Sequence, residues 1–555
     1  MKNILLINSV GSSKKYIEKL LSPQNLSENI YLSYPLGVLT IAGWIQKELP
    51  EFKLQIIDLH MDLHKSINKQ IDSINSFEEL LEYTIQKIIY IPDYILISMN
   101  FSNGHIPGIE TVNRLKIEYP LSLIIVGGMH ATTYTKKFIN EPNIDYVIRG
   151  AGDIAIIELL KSIEEKKDVS LVPGVVTSEK NLARIAPAIT DLDSIPFLPY
   201  NLIDMEYLVV NESNAPVDSA GKNRVGVITM SRGCSFSCTY CSAGSVHGKK
   251  VFLKSIERVI SEIKLLVDEW KINQLTILDD LFGANKIYFF DFFKQFSQFK
   301  LNIVIPGGLS FKIFNHKMID VLIENGLKAV CFPLESGSVF VQNEIIKKKI
   351  NLNTAPTILK YAHEQGLYVS INIVLGFPGE TKDMILETYR YIKQLPIDWV
   401  SFFIAYPFPG TEMTCSFLDR GDLSESMLEK IWEDSPQGSM VRYFDTLEIK
   451  GKELSDIIYD FNIDLNFFNN YNLITSKNYV TMLLKLERII ARYPFHVVAL
   501  ACRSYCYFSL GRFNDANNDI QALHAMVNTN TESHVLYERY KNEIGKILAL
   551  VKCGN

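Results

Sequence analysis

The sequence predicts an α/β protein in three parts: an N-terminal doubly wound parallel sheet, a partial (β/α)6 barrel and a helical C-terminal extension. Three observations carry this. Residues 1–150 alternate short apolar runs with helix-spaced stretches. Residues 223–412 repeat a strand-then-helix unit about six times, the pattern that builds parallel sheets. Residues 413–555 lose the strand alternation and read as helical.

In the first part, residues 3–8, 54–59, 94–99 and 123–126 are the strand-like runs, and residues 36–49 have helical spacing. Strands alternating with helices imply a Rossmann-like sheet covered on both faces. Ligands in such sheets sit at the carboxyl ends of the strands. The ends here are Asn8-Ser9 and residues 98–103, 127–130 and 150–153. Residues 151–222 read as a connector; Asp191-Leu192-Asp193-Ser194-Ile195-Pro196-Phe197-Leu198-Pro199 is turn-rich and places a domain boundary near 185–222. The barrel strands expected are 225–230, 274–279, 302–306, 329–334, 369–375 and 399–405, with amphipathic stretches such as 255–270 and 384–394 between them. Active residues of barrels cluster at the carboxyl ends of strands. In the tail, Leu510-Gly511-Arg512-Phe513 with Ala516, Ile520 and Leu523 resembles part of a tetratricopeptide hairpin. One match is no repeat array, so a helical cap on the barrel is expected.

The 555 residues are 47% hydrophobic and 21% charged, as in globular chains. A net charge of −6 gives no electrostatic case for a nucleic-acid partner. No segment reaches the roughly 18–20 apolar residues that span a bilayer. The short apolar run at residues 4–7, followed by Gly11-Ser12-Ser13-Lys14-Lys15, reads as a first strand and not as a signal peptide, so a cytoplasmic protein is expected.

Eight cysteines lie at 234, 238, 241, 331, 415, 502, 506 and 553. In a reducing cytosol Cys331, Cys415 and Cys553 read as free, mostly buried thiols. The trio Cys234-Ser235-Phe236-Ser237-Cys238-Thr239-Tyr240-Cys241 is different: it follows a predicted strand, and Gly233 and the small serines suit a tight loop. Thiolates are the ligands of iron–sulfur clusters. Three sulfurs on a four-iron cluster leave one iron open to a small molecule, and an open position separates a catalytic metal site from a closed one. A zinc site usually shows paired C-x-x-C units or histidine partners; His247 lies near but supplies no second pair.

The spacing C-x-x-x-C-x-x-C with an aromatic before the last cysteine resembles the radical SAM superfamily. The resemblance implies that Cys234, Cys238 and Cys241 hold a [4Fe–4S] cluster and that S-adenosyl-L-methionine (SAM) chelates the open iron. One electron then cleaves SAM to a 5′-deoxyadenosyl radical, which the protein positions and shields. It further implies that Tyr240 lies against the adenine, that Asp279 and Asp280 bind the SAM amino group, and that Glu335-Ser336-Gly337-Ser338 helps to bind SAM. Gly376-Phe377-Pro378-Gly379-Glu380-Thr381 matches a turn beside the adenosine, Asn372 could reach the ribose or carboxylate, and Pro407-Phe408-Pro409-Gly410-Thr411 matches a further segment. Taken alone, Tyr240 also reads as an ordinary loop aromatic and each glycine turn as backbone geometry. An arginine often found near the third strand's end is absent; Ser310-Phe311-Lys312 stands there.

Residues 1–150 resemble the cobalamin-binding domain that precedes the barrel in one radical SAM subclass. The matching pieces are Tyr34-Pro35-Leu36-Gly37-Val38-Leu39, Val126-Gly127-Gly128-Met129-His130 and Asp145-Tyr146-Val147-Ile148-Arg149-Gly150-Ala151-Gly152-Asp153. The last departs from the subclass in lacking an acidic residue at Ala151. The resemblance implies cobalamin contacts from Pro35, Leu36, Gly37, Ser98, Gly127, Gly128, His130 and Gly150, with glycines allowing close backbone approach. His130 reads equally as a loop histidine. Asp58-Leu59-His60 begins the D-x-H-x-x-G cobalt-ligand motif, but Leu63 takes the glycine position, so His60 is not assigned as a ligand.

The two resemblances in tandem imply a cobalamin-dependent radical SAM methyltransferase acting on an unactivated carbon, or on phosphorus, of a natural-product, lipid or peptide substrate. A reducing donor such as flavodoxin or ferredoxin would supply electrons. A cyclase, oxidase or rearrangement enzyme without methyl transfer is the alternative, and a corrinoid-binding or sensing protein a second.

Overall fold

The computed structural model describes residues 2–22, 30–71, 74–211, 223–434 and 440–552, so Cys553 and the end of the expected connector lie outside the described residues. A six-stranded sheet opens the chain: β1 (Asn3–Asn8), β2 (Lys53–Asp58), β3 (Tyr94–Ser98), β4 (Leu123–Gly127), β5 (Tyr146–Ile148) and β6 (Val175–Val176), in the order β2-β1-β3-β4-β5-β6. The first five strands run parallel and β6 pairs antiparallel with β5. Alternate residues of each strand enter opposite cores. Ile4, Leu6, Leu96 and Ile125 pack on one face, and Leu5, Ile7, Ile97 and Val126 on the other. That two-residue period explains the unbroken apolar runs: both faces are covered. Helices Leu36–Glu48 and Gly152–Glu164 share the first core; helix His105–Glu118 covers the second. The chain order reverses at β1 and β3, so the crevice at their carboxyl ends is the expected ligand edge. The sixth strand comes from within residues 151–222.

A hairpin of β8 (Ser231–Arg232) and β9 (Phe252–Leu253) follows β7 (Val225–Ile228). The barrel strands are β7, β10 (Gln274–Ile277), β11 (Asn302–Val304), β12 (Ala329–Glu335), β13 (Tyr368–Leu375) and β14 (Trp399–Ile404). They form two parallel three-stranded sheets, β11-β10-β7 and β12-β13-β14, rather than one continuous ladder. One core runs through both sheets into the inner face of the first domain. Within it the Tyr34 hydroxyl donates to the Val225 carbonyl at 2.6 Å, tying the two domains together.

The edge strand β14 is capped by the helical tail. The Asn466 carboxamide accepts from Val400 N and donates to Val400 O, both at 2.8 Å, where a neighbouring strand would otherwise pair. Helices Tyr479–Arg492, Val497–Ser509, Phe513–Thr529 and Thr531–Lys552 then form a separate small core. The Leu510–Phe513 segment turns between two of them, with Gly511 at φ +75°. No described helix is long and apolar enough to cross a membrane.

Candidate active site

The cysteine loop leaves the barrel through Gly233. Its φ is +94°, and a Cβ there would lie 2.2 Å from the Lys250 carbonyl oxygen, so only glycine fits. Two aspartates at the end of β10 hold this exit. Asp279 is buried and accepts from Met230 N (2.7 Å), Ser231 N (3.1 Å) and Ser231 Oγ (2.8 Å). Burial still pushes its carboxyl up to about 6. Asp280 Oδ2 accepts from Gly233 N (2.9 Å) and faces His247 Nδ1 (3.1 Å). Further along, Thr239 N donates to Ile346 O at 3.1 Å and Thr239 Oγ1 to Ile345 O at 3.0 Å. The loop is thus fixed at both ends by groups other than its thiols.

Cys234 and Cys238 are half-buried and Cys241 is exposed, and all three are free of disulfides. Burial pushes the Cys234 and Cys238 thiols above their ordinary range, while the charge of Lys348 pulls them down. Among the described residues no group of three His, Cys, Asp or Glu side chains is placed to hold a single metal ion. A cubane makes a different demand: its thiolates bind separate irons, and three cysteines on one loop, two of them drawn inward, suit it.

Beside the thiols lies a buried charged trio. Tyr240 Oη donates to Glu335 Oε1 at 2.9 Å, and Lys348 Nζ reaches the same oxygen at 2.9 Å. Glu335 ends β12 at φ +68°, a left-handed conformation that a non-glycine residue adopts only under constraint, and the β12–β13 register shifts there. Lys348 is 4% exposed. Sequence reasoning missed it, because its neighbours Lys347 and Lys349 are exposed and the run looks like a solvated face. It places a buried cation beside the cysteine loop.

The turn after β13 is braced from behind. Glu380 Oε2 accepts from Gly376 N (2.6 Å) and Phe377 N (3.1 Å). Burial raises Glu380 to about 7, opposed by these two donors and by Arg442. Arg442 lies 4.2 Å from the Phe444 ring centroid, and its Nη1 would sit 2.6 Å from a Cβ on Gly376. Phe377 packs on Tyr240 with ring centroids 5.9 Å apart. Asn372 Oδ1 accepts from Cys331 Sγ at 3.4 Å.

Between the first sheet and the barrel lies a cavity of about 360 Å³ that opens into a wider mouth, within the roughly 300–1,000 Å³ of ordinary small-molecule pockets. Leu36, Gly37, Ser98, Gly127, Gly128 and Gly150 form one wall; Ser231, Arg232, Val246, His247 and Asp280 form the other. No atom lies within 4 Å of where a Cβ on Gly37 would stand, so the space over it is open, whereas Gly128 and Gly150 have φ of +103° and +100°. A side chain at Gly37 would enter the open space beside this wall, while a Cβ at Gly128 or Gly150 would meet the Met99 or Ala186 backbone; a wall with so few side chains fits a flat macrocycle.

Two expected corrin contacts lie elsewhere. Pro35 is buried and does not line the cavity. His130 is 1% exposed, and its nitrogens face Ser102 Oγ (3.1 Å) and His105 Nδ1 (3.1 Å), in a ring cluster with Tyr134, Phe138 and Trp432. It joins the first domain to helix Glu425–Asp434 and does not line the cavity. Asp279 likewise is taken up by Met230 N, Ser231 N and Ser231 Oγ and is not part of the cavity lining, to which its neighbour Asp280 belongs. His60 Nε2 faces the Tyr31 carbonyl at 2.8 Å, and Asp58 caps helix Leu59–Ile67. Tyr240, Glu335, Asn372 and Gly376 gather at the carboxyl side of β12 and β13, next to the thiols but outside this cavity's lining.

Comparison with known proteins fits this geometry. Residues 228–392 match the model of the radical SAM superfamily. Over 473 residues the chain is 25% identical to the cytidylyl-2-hydroxyethylphosphonate methyltransferase of Streptomyces wedmorensis, covering 78% of this chain and 86% of that one. Among solved structures, the radical SAM methyltransferase TsrM of Kitasatospora setae, with cobalamin and a [4Fe–4S] cluster bound, superposes with a TM-score of 0.55 at 16% identity, over 76% of this chain and 75% of that one. The cobalamin-dependent radical enzyme OxsB, bound to aqua-cobalamin and SAM, gives 0.55 at 14% identity, over 99% of this chain and 78% of that one. The chain therefore carries a radical SAM domain at residues 228–392, set in a fold like that of cobalamin-dependent members.

Proposed function

We propose that this protein is a cobalamin-dependent radical SAM methyltransferase acting on a small-molecule substrate. The observation that carries the reading is the shared cavity: a glycine cradle on one wall, and on the other the residues that flank the cysteine loop. Cys234, Cys238 and Cys241 would hold the cluster. Tyr240, Glu335, Asn372 and Gly376 would line the SAM site, with Lys348 as a cation for its carboxylate and Asp280 at the rim. Leu36, Gly37, Ser98, Gly127, Gly128 and Gly150 would seat the corrin. When bound, the cluster supplies the electron that cleaves SAM and the corrinoid carries the methyl group.

The chain's own residues supply the rest. The Asp279 and Asp280 clamps keep the loop in one conformation, the charged trio orients a zwitterion, and the closely packed domains exclude water from a radical. A reduced flavodoxin or ferredoxin as donor and a cytoplasmic setting complete the proposal. Relatives point to polar substrates: one is named for a nucleotidyl phosphonate, and TsrM has been solved with tryptophan. Anaerobically reconstituted protein should be given SAM with a deuterated methyl group, cobalamin and phosphonate or indole substrates. The reading requires the label in a product heavier by one methyl, together with 5′-deoxyadenosine. Deoxyadenosine without any labelled product or corrinoid refutes it.

A further inference from the structure

An ion pair crosses the cavity between its two walls. Asp153 stands in the first turn of helix Gly152–Glu164, just after the cradle glycine Gly150, and is 6% exposed. Arg232 stands on β8, two residues before the first cluster cysteine. Arg232 Nη1 donates to both Asp153 oxygens, at 2.9 and 3.0 Å, and both residues line the cavity. The charge of Arg232 also acts on Asp280, which holds Gly233 N and His247. A line of charge thus runs from the corrin cradle to the base of the cysteine loop without leaving the cavity wall.

A buried ion pair is a poor source of stability, since desolvation cancels much of its attraction; its best-attested role is to fix register. The main domain contact here is apolar, and apolar packing is non-directional. It tolerates small slides that a single charged contact forbids. We propose that Asp153–Arg232 is a positioning pair that sets the corrin cradle over the cysteine loop, and so decides how often a SAM is used for methyl transfer to the corrin rather than cleaved to a radical. The inference rests on the cobalamin-dependent reading. Neither residue needs to touch SAM.

The test uses full-length protein reconstituted with iron, sulfide and cobalamin, with titanium(III) citrate as reductant and no organic substrate. S-adenosylhomocysteine reports methyl transfer to cob(I)alamin, and deoxyadenosine reports reductive cleavage. In Asp153→Asn and Arg232→Gln the ratio of the first product to the second should fall at least tenfold. The magnetic coupling between cob(II)alamin and the reduced cluster, read by electron paramagnetic resonance, should weaken as well. The double swap Asp153→Arg with Arg232→Asp should restore both, and Asp153→Glu, which keeps the charge, should give an intermediate ratio even if the neutral variants fold poorly. An unchanged ratio and coupling in the single variants, or a swap that restores neither, overturns the positioning role while leaving the reading intact. Wild-type protein that releases no S-adenosylhomocysteine defeats the reading itself.

Discussion

The two walls of the cavity are built on opposite principles. The wall from the first domain is mostly small and apolar, Leu36, Gly37, Ser98, Gly127, Gly128 and Gly150, with Asp153 as its buried charge and its histidine turned into the core. The barrel side holds buried charge: Asp280 with His247 on the wall, and the Lys348–Glu335–Tyr240 trio beside the cysteine loop. The difference follows from what each would bind. A macrocycle is recognised by a flat space from which side chains are absent. A small zwitterion beside a cluster is recognised by fixed charge in a dry setting. Damage to one side should therefore leave the other legible.

The largest separation should come from Cys238→Ala. It should abolish the cluster's visible absorption and SAM cleavage, while equilibrium dialysis still shows cobalamin bound; loss of both would mean that the walls are not independent. Next is Lys348→Met. Removing one partner of a buried ion pair costs about 3–5 kcal/mol, because the other charge is left uncompensated. Chemical denaturation should show a loss of that size, and Lys348→Met with Glu335→Gln together should recover most of it. No recovery would mean that the lysine acts through some other contact.

The joint between the domains should respond to acid. Burial holds His105 down to about 4, against 6.5 for an exposed imidazole, and burial holds His130 well down too. The folded joint refuses protons that the unfolded chain accepts. Stability is full above pH 6.5 and is lost as pH falls towards about 4, by about 3 kcal/mol for His105. Thermal melts from pH 7.5 to 4.5 should steepen in that window, and His105→Gln should flatten them; an identical slope in the variant would remove the histidine from the account. The smallest effect expected is from Gly37→Leu. No protein atom lies within 4 Å of a Cβ there, so the fold should tolerate it. Cobalamin affinity should still fall about tenfold, or about 1.4 kcal/mol, in dialysis. Unchanged affinity would move the corrin away from the cradle.

The same contrast decided how much could be read from the sequence. The cradle was legible because a glycine's reason is local: Gly128 and Gly150 need positive φ whatever surrounds them. The strands buried on both faces were legible as apolar runs, while β5 and β6, at three and two residues, were too short to announce themselves. The charged side was legible only in its cysteines. Asp279 reads as a SAM contact until the fold turns Met230 N and Ser231 N onto it. Lys348 reads as surface until β12 and the cysteine loop close over it, and Arg442, packed against Gly376, lies beyond the radical SAM domain in sequence. Partnerships between distant residues fix these roles, and no local pattern records them.

The central claim, two cofactors facing one cavity, is tested most directly by anomalous diffraction at the iron and cobalt edges from anaerobic crystals of the loaded protein. The account predicts iron at the thiols of Cys234, Cys238 and Cys241, and cobalt over Gly37, Gly127 and Gly128, across the cavity from Arg232 and His247 that flank the cysteine loop. Cobalt bound anywhere else, or iron held by other residues, would contradict it.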